Sequence, residues 1–179
     1  NLPKAAELSE RAVKRGCVEA HRDLASMYFH GNGVPQSHVR AKELYEAAAK
    51  TGDVSAMYNL ALCYNGGHGV APSSLRAKTW WERAARHGHV EAQASLGTLH
   101  HYGAIKDTMV KKNVSEAIKW YEKAAAQNHA NSLYNLAFLL ENGEGVKHDH
   151  AKAMPLYFRA AALGVSEAQF MLGIIYQNG

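Results

Sequence analysis

The chain has 179 residues, of which 47% are hydrophobic and 20% are charged, a composition typical of a folded globular protein rather than a disordered one. No apolar run approaches the roughly 20 residues that a transmembrane helix needs, so we expect no membrane insertion by this segment. The formal net charge is +4, but basic and acidic residues alternate along the chain, which argues against nucleic-acid binding.

A helical segment recurs five times along the chain. The diverged first copy covers residues 5–16, and the later copies cover residues 41–52, 77–88, 117–128 and 153–164. In the second copy, Ala41, Leu44, Tyr45 and Ala48 have the i, i+3, i+4, i+7 spacing of one helical face. The pattern therefore predicts the first helix of each of five units.

A second helix is predicted after each copy, because two further columns keep the same register. One column is always leucine: Leu24, Leu60, Leu96, Leu136 and Leu172. The next position is always small: Ala25, Ala61, Gly97, Ala137 and Gly173. An apolar residue beside a small one on a helix face favours close packing of that helix against its neighbours.

One position between the two helices is glycine in four of the five copies: Gly16, Gly52, Gly88 and Gly164. The remaining copy has Asn128 at this position. The residue after a helix C-terminus commonly adopts a left-handed conformation, for which glycine is preferred and asparagine is next. These positions lie 36, 36, 40 and 36 residues apart, and the four extra residues lie between Gly103 and Ala117.

The segments between units contain Gly-x-Gly-Val turns followed by polar residues that can cap the next helix. The third unit lacks this turn and has a longer loop. The predicted N-caps are Ser37, Ser74, Asn113 and Asp149. One such hairpin is too small to bury its own apolar face, so successive hairpins must stack, which predicts an all-α solenoid.

The pattern A-x-x-W/L-Y-x-x-A-A-x-x-G followed by A-x-x-x-L-A/G-x-x-Y-x-x-G-x-G-V resembles the Sel1-like repeat, a relative of the tetratricopeptide repeat. The resemblance implies a right-handed superhelical α/α solenoid of about five helix-turn-helix repeats. A single array over residues 1–179 would have units at about 5–40, 41–76, 77–116, 117–152 and 153–179. Because the chain lacks an initiator Met and begins and ends inside a repeat, we expect it to be a fragment of a longer protein.

Neither the histidines nor the cysteines predict a metal site or a disulfide. His89 and His100 fall at opposite ends of one predicted helix, roughly 16 Å apart, which is too far for shared coordination. His100 also shares a column with Tyr28, Tyr64 and Tyr176, which favours a packing role. Cys17 and Cys63 fall about 15 Å apart, so we expect both thiols to be free and no metal or cofactor to be bound.

No catalytic residue is predicted. The chain has no G-x-S-x-G nucleophile motif and no Cys-His pair with a third orienting group, so we expect a protein that is not an enzyme. Trp80, Trp81 and Trp120 fall in the Leu or Tyr columns of the first helices, which favours packing in the core.

Repeat proteins generally bind partners along a concave surface, so helix residues outside the packing faces are candidates for contacts. The candidates on the first helices are Glu43, Glu46, Lys50, Arg83, Arg86, Lys119 and Lys123, and those on the second helices are Asn59 and Asn135. The cationic members fall in adjacent units, which predicts a site for an acidic or carboxylate-bearing peptide. The loop from Ala104 to Ser115, with Lys106, Lys111 and Lys112, is a second candidate site, and a tolerated insertion without a binding role is the alternative.

The resemblance implies an adaptor or scaffold that binds a protein or peptide, since Sel1-like proteins resemble components of endoplasmic-reticulum quality control, signalling complexes and bacterial host interaction. Two alternatives stay open: a small-ligand-binding or hydrolytic enzyme of the Sel1-like type, and a homo-oligomer formed through the terminal repeats. No targeting signal is present, so both the cytoplasm and the endoplasmic-reticulum lumen are compatible with the sequence.

Overall fold

The computed structural model describes residues 1–104 and 110–178. These residues form ten α-helices and no β-strand, which confirms the all-α class. The helices are α1 (Leu2–Lys14), α2 (Val18–His30), α3 (His38–Lys50), α4 (Val54–Gly66), α5 (Ser74–Arg86), α6 (Val90–Tyr102), α7 (Val114–Ala126), α8 (Ala130–Asn142), α9 (His150–Ala162) and α10 (Ser166–Asn178).

The helices belong to two compact units, Asn1–His89 with α1 to α5 and Val90–Gly179 with α6 to α10. Within each unit every helix packs against the next one along the chain. Sequence-adjacent packing of this kind is the pattern expected of stacked helical hairpins. None of the described helices is both long and apolar enough to cross a membrane.

The predicted leucine column is buried in both units, from Leu24 in α2 to Leu172 in α10. In the second unit the largest fully buried side chains include Tyr121, Leu133 and Tyr157. The small column has a steric cause at Gly97, where an added Cβ would overlap the Tyr121 ring. At Gly97 the small residue therefore follows from how closely α6 and α7 approach each other.

The five positions between paired helices all adopt positive φ angles. Gly16, Gly52, Gly88 and Gly164 have φ values of 82°, 99°, 82° and 89°, and Asn128 has a φ of 60°. Asn128 is the one described residue other than glycine with positive φ, which confirms the predicted left-handed turn at the single position where the column departs from glycine.

Three of the four predicted N-caps are confirmed. The side chains of Ser37, Asn113 and Asp149 accept hydrogen bonds from backbone N–H groups three residues later, at 3.3, 3.1 and 3.0 Å. The prediction of Ser74 was wrong, because α5 already begins there. The preceding hydroxyl, that of Ser73, accepts from the Arg76 N–H at 3.3 Å, which is the contact that caps a helix N-terminus.

A backbone hydrogen bond closes each of the four loops between successive repeats. The N–H of the capping residue donates to a carbonyl near the end of the preceding helix. The four pairs are Ser37 to Tyr28 (2.9 Å), Ser73 to Tyr64 (2.8 Å), Asn113 to His100 (2.7 Å) and Asp149 to Leu140 (2.9 Å). The longer third repeat keeps this bond, and its extra residues fall between the end of α6 at Tyr102 and the start of α7 at Val114, as predicted.

Candidate binding surfaces

The charged side chains of α3 are paired within the helix itself. Glu43 accepts from Arg40 at 3.0 Å, and Glu46 contacts Lys42 at 3.2 Å and Lys50 at 2.9 Å. The hydrogen bond from Lys50 is the main cause that holds the pKa of the Glu46 carboxyl below its usual value. Three of the predicted contact residues thus neutralise charge locally on this helix.

The cations of α5 have a different environment. Arg83 and Arg86 are exposed, and the Arg83 guanidinium lies 4.5 Å from the centroid of the Trp80 ring. Arg76, which the sequence analysis missed, is also exposed and lies 5.6 Å from the centroid of the Tyr64 ring on α4. Its signal was its spacing: Arg76 and Arg83 are seven residues apart, which places them on one helical face.

Arg76, Arg83 and Arg86 form what we call the arginine stripe of α5. None of the three makes an ion pair with a described residue, whereas Lys78 of the same helix lies 3.6 Å from Glu82. Guanidinium groups stay protonated at all physiological pH values, so the stripe carries three positive charges without a carboxylate partner in the described part of the chain.

The cations of α7 belong to the second unit. Lys119 pairs with Glu116 at 3.0 Å, and the Lys123 ammonium lies 4.2 Å from the centroid of the Trp120 ring. The structure therefore places Lys119 and Lys123 on one unit and Arg83 and Arg86 on the other. The joint cluster of these four cations stays a prediction.

The two asparagines predicted as contact residues are half-buried, Asn59 on α4 and Asn135 on α8. The Tyr121 hydroxyl donates to the Thr98 hydroxyl at 3.4 Å, and the Asn135 side chain lies near enough to this phenol to act on its pKa. Burial raises the pKa of Tyr121 to about 12. The nearby phenol is a reason for a polar residue at the Asn135 position besides ligand contact.

The histidines mainly serve packing and capping. His100 and His101 are buried, which confirms the packing role predicted for His100. Burial also lowers the pKa of His101, an effect that the Glu144 carboxylate 3.8 Å away opposes. At the start of α8, His129 caps the helix, since its Nδ1 accepts from the Ser132 N–H at 3.2 Å. Among the described residues no three metal-ligating side chains are arranged to hold an ion.

Both cysteines and one of the three tryptophans have the environments that the sequence predicts. Cys17 is exposed and Cys63 is buried, and both are free thiols, as predicted. Trp81 is only 4% exposed, which confirms its place in the core. Trp80 and Trp120 are only half-buried, so the expectation of core packing is correct for them only in part. Part of each ring remains on the helix surface beside a cation.

The loop predicted as a second binding site is only partly described. Lys106 lies outside the described residues. Lys111 and Lys112 are exposed, and the Lys112 ammonium contacts the Glu144 carboxylate at 2.7 Å. That hydrogen bond is the main cause that lowers the pKa of Glu144. The binding role of this loop stays a prediction.

Within each unit the helices pack against their neighbours along the chain and carry charged side chains on their outer faces, an arrangement that defines the helical-repeat class of proteins. The Sel1 repeat model matches residues 18–53, 54–89, 90–129, 130–165 and 166–179. The chain belongs to the Sel1 repeat family. These matches reproduce the repeat lengths read from the turn positions, including the third repeat of 40 residues.

Solved structures support the same assignment. The chain is similar to c5321, a protective antigen of uropathogenic Escherichia coli with an SLR fold, with a TM-score of 0.88 and 30% identity over 98% of this chain. It is also similar to a Sel1 repeat protein from Oxalobacter formigenes, with a TM-score of 0.85 and 31% identity over 98% of this chain. It spans 37% and 49% of those two chains.

A relative from Schizosaccharomyces pombe, chitin synthase regulatory factor 3, is 34% identical over 84 residues. The match covers 47% of this chain and 9% of that protein. The likeness is therefore confined to a small part of a much longer protein.

Proposed function

We propose that this chain is a non-enzymatic scaffold or adaptor that binds a partner protein or peptide on the exposed faces of its helices. Sel1 repeat proteins generally act as protein-interaction scaffolds, which supports the proposal at the level of the family. The name of the Schizosaccharomyces pombe relative, a regulatory factor, agrees with a role that depends on another protein. The finer expectation, a partner lying along a concave surface, stays a prediction.

The observation that carries the proposal is a tryptophan with a cation over its ring in each unit. In the first unit Arg83 lies 4.5 Å from the Trp80 centroid, and in the second Lys123 lies 4.2 Å from the Trp120 centroid. Both indoles are half-buried, so part of each ring can still be covered by a partner. Tryptophan and arginine are enriched among the residues that contribute most to protein–protein affinity.

The test is charge reversal followed by affinity measurement. A partner captured by the intact chain and identified by mass spectrometry is purified, and its affinity is measured for the wild type, Arg83→Glu and Lys123→Glu. We expect each reversal to weaken binding without lowering the melting temperature, because both side chains are exposed. The matched control is Lys14→Glu, which reverses an exposed charge on α1. Binding of the wild-type chain to no protein partner at all would contradict the proposal.

The alternatives have separate tests. A thermal-shift screen with metals and small molecules that produces strong stabilisation would favour a small-ligand binder or enzyme. Oligomerisation through terminal repeats is favoured by two exposed aromatic side chains on α10, Phe170 at 69% and Tyr176 at 68% exposure. Sedimentation at several protein concentrations measures it, since self-association shifts with concentration.

A further inference from the structure

We infer that the arginine stripe of α5 is the docking surface for an acidic peptide segment, in which two carboxylates about 10 Å apart engage Arg76 and Arg83. This inference rests on the proposed scaffold function and names the chemistry of the partner on one helix. It also adds Arg76 to the residues that the sequence had indicated.

The spacing of the stripe follows from helix geometry. Arg76 and Arg83 are separated by seven residues, close to two complete turns, so they lie on the same face with a rise of about 10.5 Å between them. Arg86 follows Arg83 by three residues and extends the row by almost one turn. All three side chains are exposed. The row thus offers two well-separated guanidinium groups with a third beyond them.

Aromatic rings hold two of these arginines before any partner arrives. Arg76 lies over Tyr64, which is itself only 9% exposed and so is fixed by the core of the first unit. Arg83 lies over Trp80 on its own helix. A guanidinium over a ring makes no hydrogen bond to it, so its N–H groups remain available for bidentate contact with a carboxylate. Because cation–π attraction already restricts these side chains, less side-chain entropy is lost when a partner binds.

The surroundings leave the stripe unneutralised. Glu82 is the single acidic residue of α5, and it lies 3.6 Å from Lys78. The carboxylates of α3, Glu43 and Glu46, are paired with bases of their own helix. The three arginines make no ion pair with any described residue, so an acidic partner meets an uncompensated positive potential. Such complementarity increases both association rate and selectivity for negative ligands.

A peptide fits the arrangement better than a phosphate or a nucleic acid does. A single phosphate would need several donors converging on one point, whereas these guanidinium groups are spread along two helical turns. A nucleic-acid surface would require a block of basic residues that continues onto neighbouring helices. The first helix of the preceding repeat, α3, does not continue it, because its charged side chains pair with one another. The two separated guanidinium groups of Arg76 and Arg83 can each bind one carboxylate of a flexible peptide.

The experiment measures the fluorescence anisotropy of a labelled peptide titrated with the intact chain at low salt. The peptide has two glutamates three residues apart in a Gly/Ser/Ala background, and its matched analogue has glutamine at both positions. We expect the double variant Arg76→Gln/Arg83→Gln to bind the acidic peptide at least tenfold more weakly than the wild type. The wild type should likewise bind the glutamine analogue at least tenfold more weakly.

The control removes the same charge from elsewhere: Lys14→Gln/Lys147→Gln neutralises two exposed lysines, one in each unit, that make no ion pair with a described residue. We expect this control to retain affinity within about twofold, since the stripe is intact. Circular dichroism and the melting temperature establish that all variants fold alike. An equal loss in the stripe variant and in the control would overturn the inference, because it would mean that net charge alone attracts the peptide.

Two further outcomes separate this inference from the scaffold proposal. If a purified protein partner binds the wild type and Arg76→Gln/Arg83→Gln equally well, the docking surface is wrong while the scaffold function stands. If inorganic phosphate or a single-stranded oligonucleotide displaces the acidic peptide and binds more tightly than it does, the occupant is wrong. Selective loss of the acidic peptide in the stripe variant supports the inference.

Discussion

Removing the hydroxyl groups of Tyr121 and Tyr157 one at a time tests how polar atoms are accommodated in the core of the second unit. Both side chains are fully buried. The Tyr121 hydroxyl donates a hydrogen bond to the Thr98 hydroxyl at 3.4 Å. The Tyr157 hydroxyl has no hydrogen-bond partner among the described residues, and burial raises its pKa above the ordinary value. The two phenols are therefore a matched pair that differs in hydrogen bonding.

We expect the two substitutions to have different effects on the free energy of unfolding. Tyr121→Phe loses a hydrogen-bonded hydroxyl, and since Thr98 and Asn135 are not fully buried they can turn to water, so the loss should be about 1 kcal/mol. Tyr157→Phe removes a buried hydroxyl that no described group satisfies, whose burial costs about 1–3 kcal/mol. Because a small void replaces the oxygen, we expect Tyr157→Phe to be neutral or to stabilise by up to about 1 kcal/mol.

Thermal unfolding followed by circular dichroism measures both variants in the intact chain. A change of 1 kcal/mol shifts the melting temperature of a chain of this size by about 2–4 °C, which is well resolved. Urea unfolding provides a second measure, with the slope of each curve showing whether the transition keeps its cooperativity. A loss of more than about 1 kcal/mol for Tyr157→Phe would refute the reasoning, because it would mean that its hydroxyl is satisfied by a bound water.

Three further predictions concern local contacts. Gly97→Ala brings a methyl group into steric overlap with the Tyr121 ring and should destabilise the chain by about 1–3 kcal/mol. Gly173→Ala is the control: the space around Gly173 is open, so this variant should be neutral or slightly stabilising in the same denaturation assay. His129→Ala removes a helix cap and should cost about 0.5–2 kcal/mol, whereas His129→Asp, the residue that caps the equivalent helix as Asp53, should retain most of the stability. Burial lowers the pKa of His101, so the unfolded chain takes up its proton first; stability should fall as pH drops below about 6.5, and His101→Gln should flatten a plot of melting temperature against pH. An unchanged slope in that variant would contradict the assignment.

The fold could be predicted because its constraints repeat. The left-handed turn recurs at one sequence position in every unit, so even Asn128 was identified from its column. The packing role of His100 followed in the same way from the tyrosines at equivalent positions. Properties dictated by backbone geometry and steric fit leave periodic traces in the sequence, and here those traces were sufficient for the helices and their order.

The surface was less predictable, because its contacts are not periodic. The Ser73 cap was missed since two adjacent serines both satisfy the sequence signal, and only the first helical residue distinguishes them. Arg76 was missed because its aromatic support, Tyr64, comes from the preceding helix. Exposed side chains choose among several neighbours by small energy differences, and sequence spacing does not determine that choice.

The hydrogen bond from Asn113 to the His100 carbonyl has a practical consequence for engineering. It ties the end of α6 to the start of α7, as the equivalent bonds do in the shorter connections, so the same closing contact is present although this connection is four residues longer. Doubling a flexible loop adds only about 0.6 kcal/mol of closure entropy. We therefore expect a fluorescent reporter or an affinity tag inserted between Ala104 and Val110, outside both helices, to leave the neighbouring hairpins in place.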